Sequence, residues 1–235
     1  MQNMKEKIAD ADLVLIGIGE EFEIKTSEIQ KEGGEAAAFK RKQAYCQLKE
    51  LVKDKNYFIV TLCMDGIIHE AKFDKNRIVE PCGSYYRLQC SNKCTPDIYE
   101  PDKEQTIKIQ EYIEGKCEEK DINLPVCPKC NAPLVFNTIQ TENYAEEGYL
   151  NMWQTYNKWL QGTVNKKLCI LELGVGMRFP TVIRWAFEKV AYFNQKAVLF
   201  RVHSKLYQTT EEIKERSVGI QSDPMDFLKE LSNQI

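Results

Sequence analysis

Cys90-Ser91-Asn92-Lys93-Cys94 and Cys127-Pro128-Lys129-Cys130-Asn131 decide how this chain is read. The two cysteine pairs are separated by 32 residues. Each pair sits on a tight turn that aims two sulfurs at one point, and the residues between bring the turns together. A tetrahedral Zn²⁺ site needs that arrangement. The alternative, four free thiols, asks chance to supply two such pairs. Cys90, Cys94, Cys127 and Cys130 are therefore the expected ligands of a structural zinc.

Outward from the cysteines, the sequence changes character. From Gly83 to about Thr141 it has short strand-like runs, Tyr85 to Gln89 and Leu134 to Ile139, around an acid-rich stretch that includes Glu118-Glu119-Lys120-Asp121. Beyond those limits, continuous apolar runs alternate with amphipathic helices. Leu13 to Gly17, Tyr57 to Thr61, Leu168 to Leu173 and Ala197 to Val202 read as buried strands. Helices are expected from Glu35 to Lys53, from Pro180 to Phe193 with proline in the first turn, and after Asp223-Pro224. Strands that are apolar throughout, alternating with helices, imply a parallel sheet covered on both faces. The expected fold class is α/β: a Rossmann-like nucleotide-binding domain at residues 1–82 and 142–235, with a small zinc-binding module inserted at 83–141. Tyr149, Met152, Trp153, Tyr156, Trp159 and Leu160 follow the module at helical spacing and read as a core or domain seam.

Composition narrows the function classes. Of 235 residues, 43% are hydrophobic, enough for a sizeable core, and the net charge is −3 with acids and bases interspersed. That balance lacks the basic face that nucleic acid or a membrane surface selects. No apolar run reaches the roughly 18 residues of a membrane span. The first residues lack the apolar stretch of a secretory signal, so a cytoplasmic location is expected, with the cysteines reduced. Of nine cysteines, four are assigned to metal, and Cys46, Cys117 and Cys169 read as ordinary.

Two glycine turns follow strands: Gly17-Ile18-Gly19-Glu20-Glu21 and Gly174-Val175-Gly176-Met177. Glycine at a strand's carboxyl end lets the backbone approach a phosphate, and ligands of open parallel sheets bind at those ends. A plain strand-to-helix turn is the competing reading, since neither turn has the full G-x-G-x-x-G spacing. Glu20 and Glu21 also place negative charge where phosphate belongs.

In order, Gly17-Ile18-Gly19, Thr61-Leu62-Cys63-Met64-Asp65, Glu80-Pro81-Cys82-Gly83, the four cysteines and Gly174-Val175-Gly176 resemble the motifs of the sirtuin (Sir2) family. The resemblance spans nearly the whole chain. It is nearest the macrodomain-linked class M bacterial sirtuins, whose motifs Gly83-Ser84-Tyr85-Tyr86-Arg87-Leu88-Gln89-Cys90 and Leu171 to Met177 resemble. It implies NAD or ADP-ribose bound between sheet and zinc module. The expected contacts are Gly17, Gly19, Asp65, Gly174, Val175 and Gly176, with His203 where an asparagine usually meets the adenosine ribose. It implies ADP-ribosyl transfer or lysine deacylation. The implied partners are an acylated or lipoyl-carrier protein and a macrodomain protein.

The family's catalytic histidine falls on Cys82 and its active-site asparagine on Cys63, and only the aspartate is kept, as Asp65. A thiol is a poor base near neutral pH and a weak hydrogen-bonding group. The cofactor-covering loop between Gly19 and Tyr57 is short for the family. Cys63 and Cys82 read as inert fillers of a relic cleft, or alternatively as a redox-sensing thiol pair. His69, one residue from a family histidine, reads as a structural or surface histidine. The expected function is a degenerate sirtuin with impaired catalysis. The alternatives are an active NAD-dependent ADP-ribosyltransferase or deacylase, and a zinc-stapled interaction domain.

Overall fold

The computed structural model describes residues 2–23 and 33–233. Its elements in chain order are α1 (Gln2–Asp10), β1 (Leu13–Ile18), α2 (Gly34–Val52), β2 (Asn56–Thr61), β3 (Ile78–Val79), β4 (Gly83–Cys90), α3 (Lys103–Ile113), β5 (Leu134–Thr138), α4 (Glu147–Gln161), β6 (Leu168–Leu173), α5 (Arg184–Phe193), β7 (Ala197–His203), β8 (Ser217–Gln221) and α6 (Pro224–Ser232). The expectation of a shortened cofactor-covering loop falls in part on residues 24–32, outside the described residues.

Six strands form one sheet in the order β3-β2-β1-β6-β7-β8, and every neighbouring pair is parallel. All residues of β1 and β6 are buried, as strands covered on both faces must be. Alternate side chains serve opposite layers. Val14, Ile16 and Ile18 pack with Met4 and Ile8 of α1, Tyr45 and Leu48 of α2, and Phe227 of α6. Leu13 and Leu15 pack with Tyr156 of α4 and Phe187 of α5. This is the Rossmann-like sheet that the apolar runs imply.

The strand order reverses between β1 and β6, which lie side by side (Ile18 opposite Leu173). The chain leaving β1 runs to α2 on one face, and the chain leaving β6 runs to α5 on the other. Their carboxyl ends therefore form a topological switch point, where open α/β sheets keep their ligands.

The aromatic stripe of α4 is a seam. The Tyr156 ring lies 5.4 Å from that of Phe58, and Trp159 Nε1–H donates to Asn56 Oδ1 at 2.8 Å. The helix expected from Pro180 begins at Arg184 instead. Residues 180–183 form a turn, with Ile183 at φ −120° and ψ −67° and the Trp185 N–H donating to the Pro180 carbonyl at 2.8 Å.

The remaining strands stand apart. β4 and β5 pair antiparallel as a separate two-stranded sheet. Beside them lies α3, whose start Asp102 and Gln105 fix reciprocally: each side chain accepts the other's backbone N–H.

Candidate functional site

The knuckle is assembled from two turns. Cys90 ends β4, and the Lys93 N–H returns to its carbonyl at 2.9 Å. In the second turn the Asn131 N–H donates to the Cys127 carbonyl at 2.9 Å, and the Cys127 N–H donates to the Ala132 carbonyl at 2.7 Å. Lys93 and Asn131 take positive φ, 48° and 59°. The left-handed region is reached most easily by glycine and asparagine, which suits Asn131. The four sulfurs lie within 4.8 Å of one another, with Cys90–Cys130 at 3.5 Å and Cys94–Cys127 at 3.6 Å. A tetrahedron with Zn–S bonds of about 2.3 Å has edges of about 3.8 Å. All four cysteines are in the free state. Backbone N–H groups of Lys129 and Cys130 point at the Cys127 sulfur and hold its pKa down to about 6, favouring the thiolate a metal needs. The donor set and its spacing fit zinc. Cys90, Cys94, Cys127 and Cys130 would hold it, and it would staple β4 to the turn before β5.

The crevice at the switch point is built differently. Gly19 donates its N–H to the Leu173 carbonyl at 2.9 Å. A Cβ at Gly19 would lie 2.3 Å from Val175 Cα and 2.4 Å from the Gly174 oxygen. The two glycine turns therefore touch backbone to backbone, and here the glycine is required by close approach. A Cβ at Gly17 would meet Ile183 at 2.5 Å and Phe187 at 2.9 Å, so that glycine admits α5 to the sheet.

Beyond Gly19, residues Glu20–Phe22 form a single helical turn laid across the carboxyl ends of β6 and β7. The Glu20 carboxylate accepts from the N–H of Gly176 at 2.8 Å and of Arg178 at 2.9 Å. The Glu21 carboxylate accepts from the Ser204 N–H at 3.1 Å and from the Ser204 hydroxyl. His203 Nδ1 lies 3.2 Å from Glu21 Oε1 and accepts the N–H groups of Lys205 and Leu206 at 3.0 and 3.1 Å. Arg178 pairs with Glu23 at 2.8 Å. Buried Arg41 of α2 grips the turn from below, donating to the carbonyls of Phe22 and Glu23 at 2.5 and 2.8 Å. Arg184 of α5 ties down the facing loops through the carbonyls of Val175 and Leu206, at 3.1 and 2.9 Å.

A dinucleotide laid across a switch point puts its diphosphate on backbone N–H groups of such turns. Here the amides of Gly176, Arg178 and Ser204 already serve carboxylates. As they stand, the residues present do not fit a diphosphate at these amides.

Asp65 and Cys63 lie after β2. Asp65 is 5% exposed. Its Oδ1 accepts the Ile67 N–H at 3.0 Å, and its Oδ2 has no hydrogen-bond partner among the described residues. Burial pushes its pKa up to about 7, against the pull of the Ile67 N–H and Arg41 and with the push of Glu23 and Glu80. Cys63 donates to the Gly19 carbonyl at 3.5 Å. Burial, then the charge of Asp65, holds its thiol well above the ordinary range. Cys82 precedes β4, and burial pushes it up to about 12. The two thiols occupy different layers. Cys63 packs in the cluster with Tyr45 and Ile67, and Cys82 in the one with Met64, Val79 and Val175.

His69 belongs to an ion network. Its Nε2 meets Glu80 Oε1 at 3.2 Å, and Arg87 holds the other Glu80 oxygen. Burial raises the Glu80 pKa, but the His69 hydrogen bond and the Arg87 charge outweigh it and the net shift is downward. The network clamps the segment before Cys82 onto β4, which supports the structural reading of His69. Sequence reasoning missed a second buried pair. Arg201 on β7 and Glu172 on β6 stand in register and bond at 2.5 and 3.1 Å. Both are at most 1% exposed. Charges at matched positions of two otherwise apolar runs were the available signal.

No family model matches the sequence. The chain is 28% identical over 185 residues to a protein ADP-ribosyltransferase of Staphylococcus aureus, covering 77% of this chain and 58% of that protein. It is 29% identical over 136 residues to a probable bifunctional ADP-ribose hydrolase/ADP-ribosyltransferase of Fusarium oxysporum, covering 56% of this chain and 23% of that protein. It thus spans between about a quarter and three fifths of the length of these curated relatives. Among solved structures, a Sir2 protein bound to a propionylated peptide superposes with a TM-score of 0.61 at 13% identity, covering 100% of this chain and 98% of that one. A Sir2 homologue mutant in complex with ADP-ribose gives 0.60 at 13% identity, covering 100% and 96%.

Proposed function

The chain is sirtuin-like in fold, and from that premise we propose that it is a degenerate, class M-like sirtuin that works by binding more than by turnover. One observation carries this reading. Cys82 and Cys63, at the positions the resemblance gives to the reacting histidine and asparagine, are thiols only 2% exposed, and burial pushes both pKa values up. A protonated thiol at these positions can neither take a proton from a ribose hydroxyl nor supply the paired donor and acceptor of an amide. Among the described residues Asp65 keeps a hydrogen-bonding oxygen without a partner, and this is where a remnant of ligand recognition is expected, by a diphosphate-free fragment of NAD or ADP-ribose. The zinc is structural in this reading. The partner is a modified protein, acylated or lipoyl-bearing, with a macrodomain protein as a further associate.

The test is incubation with labelled NAD and candidate carrier proteins. The expected result is no transfer of label and no release of nicotinamide above background. Robust transfer that disappears in Asp65→Ala would sink the reading. The similarity to the staphylococcal transferase favours a second reading, an active ADP-ribosyltransferase or deacylase. In that case Cys82→Ala retains much of the activity, because the neutral thiol takes no part in proton transfer.

A further inference from the structure

The turn after β1 presents its carboxylates inward, onto the protein's own amides, where a turn at a switch point usually offers amides to a ligand. From this geometry we infer that Glu20 and Glu21 are specificity determinants, internal stand-ins for an anion that close the switch-point crevice to a diphosphate. Three observations converge. The Glu20 carboxylate is shared between two backbone N–H groups, those of Gly176 and Arg178, at 2.8 and 2.9 Å. The same pattern, two N–H groups on one pair of anionic oxygens, characterises phosphate binding by backbone nests. Glu21 repeats the arrangement on the next strand, with the amide and hydroxyl of Ser204. Gly176 is fitted to the carboxylate, since a Cβ there would lie 3.0 Å from Glu20 Oε1 and 3.3 Å from its carboxyl carbon.

The position of the turn is fixed independently of those carboxylates. Arg41 holds the carbonyls of Phe22 and Glu23, and Glu21 N–H donates to the Gly174 carbonyl at 3.2 Å. A diphosphate approaching these amides meets two negative charges already bonded to them. It must displace both, with Glu23 adding a third acid beside Arg178. A neutral nucleoside meets no such competition. The inference stands on the hydrogen bonds of this turn and not on the roles of Cys63 and Cys82.

Calorimetric titration of the whole chain with ADP-ribose and with adenosine tests it, and no reaction is read. The Glu20→Ala/Glu21→Ala double variant should bind ADP-ribose at least tenfold more tightly than the wild type, while its affinity for adenosine changes less than threefold. A smaller gain for ADP-ribose, or an equal gain for both ligands, overturns the proposal. The Glu20→Gln/Glu21→Gln variant keeps the oxygen acceptors and guards against loss of folding. At least a threefold gain for ADP-ribose is expected there, and none would count against the idea. In the wild type, amide resonances of Gly176, Arg178 and Ser204 should stay in place up to millimolar ADP-ribose. Shifts at micromolar concentrations overturn the proposal without any variant. Because only binding is measured, failure here is distinct from transfer of label, which bears on the proposed function.

Discussion

The knuckle and the switch-point crevice both gather ligand-seeking groups on short turns, and they treat those groups in opposite ways. At the knuckle, four sulfurs converge within 4.8 Å, and backbone N–H groups steer the Cys127 sulfur toward the charged form. Four converging sulfurs fit a zinc ion, which would complete the knuckle from outside. At the crevice, the amides that face outward in nucleotide-binding turns are matched by Glu20 and Glu21, so the turn is complete without a guest. The lesson is that a motif's spacing locates a site, whereas the partners of its donors decide whether the site is open.

The contrast breaks most visibly at the metal. Chelation, or Cys127→Ser, should abolish protection of the β4 and β5 amides in hydrogen exchange and leave the six-stranded sheet protected, because structural zinc supplies folding free energy directly. Metal content should fall from one zinc per chain to a trace. Equal protection with and without metal would show that the knuckle is self-sufficient after all.

A smaller effect sharpens the comparison from beneath the crevice, where the chain also pairs charge with charge. Arg201→Met strands the Glu172 carboxylate, which is 0% exposed, and should cost about 3–5 kcal/mol. The melting temperature should drop by roughly 10 °C, at about 2–4 °C per kcal/mol for a chain of this size. Glu172→Leu added to that variant should restore most of the loss. No recovery would mean that Arg201 matters for its bonds to Gln208 and Glu188 and not for charge neutrality.

The smallest effect concerns Asp65, whose second oxygen lacks a partner among the described residues. Its pKa is raised in the folded chain from 3.8 to about 7, so between those values the native state holds more protons than the unfolded one. Its contribution is fully present below pH 3.8 and is lost as pH rises through about 7. Asp65→Asn keeps an oxygen for the Ile67 N–H and has no charge to desolvate. The variant should match the wild type near pH 4 and exceed it by about 1–3 kcal/mol at pH 8. Parallel stability curves across that range would show that the carboxylate is not desolvated in solution.

Much of the layout was legible beforehand, for identifiable reasons. Leu13 to Gly17 and Leu168 to Leu173 are apolar at every position but Glu172 and the glycine, and only strands buried on both faces read that way. The cysteine spacing implied the knuckle. Less was legible where partners lie far apart in sequence. Glu20 meets Gly176, 156 residues later, and Glu21 meets Ser204 after 183. Their position in the first glycine turn marks these acids as out of place for a phosphate, but does not show what they bind. The pairing of Glu172 with Arg201 needed the strand register. Helix α3 went unread within an acid-rich insert, although Asp102 and Gln105 spell its capping box. The Pro180 start failed because the turn at residues 180–183, with Ile183 outside helical geometry, intervenes before α5.

Arg41 sets the clock of the crevice. Its guanidinium, 2% exposed, bonds to the carbonyls of Phe22 and Glu23, so the turn's main chain is moored while Glu20 and Glu21 hang from it by rotatable bonds. Swapping their carboxylates for another anion thus requires rotamer changes and the breaking of these hydrogen bonds. It does not require a backbone rearrangement lasting microseconds or longer. A ligand that wins these amides is expected to do so without a slow gating phase in the main chain of this turn.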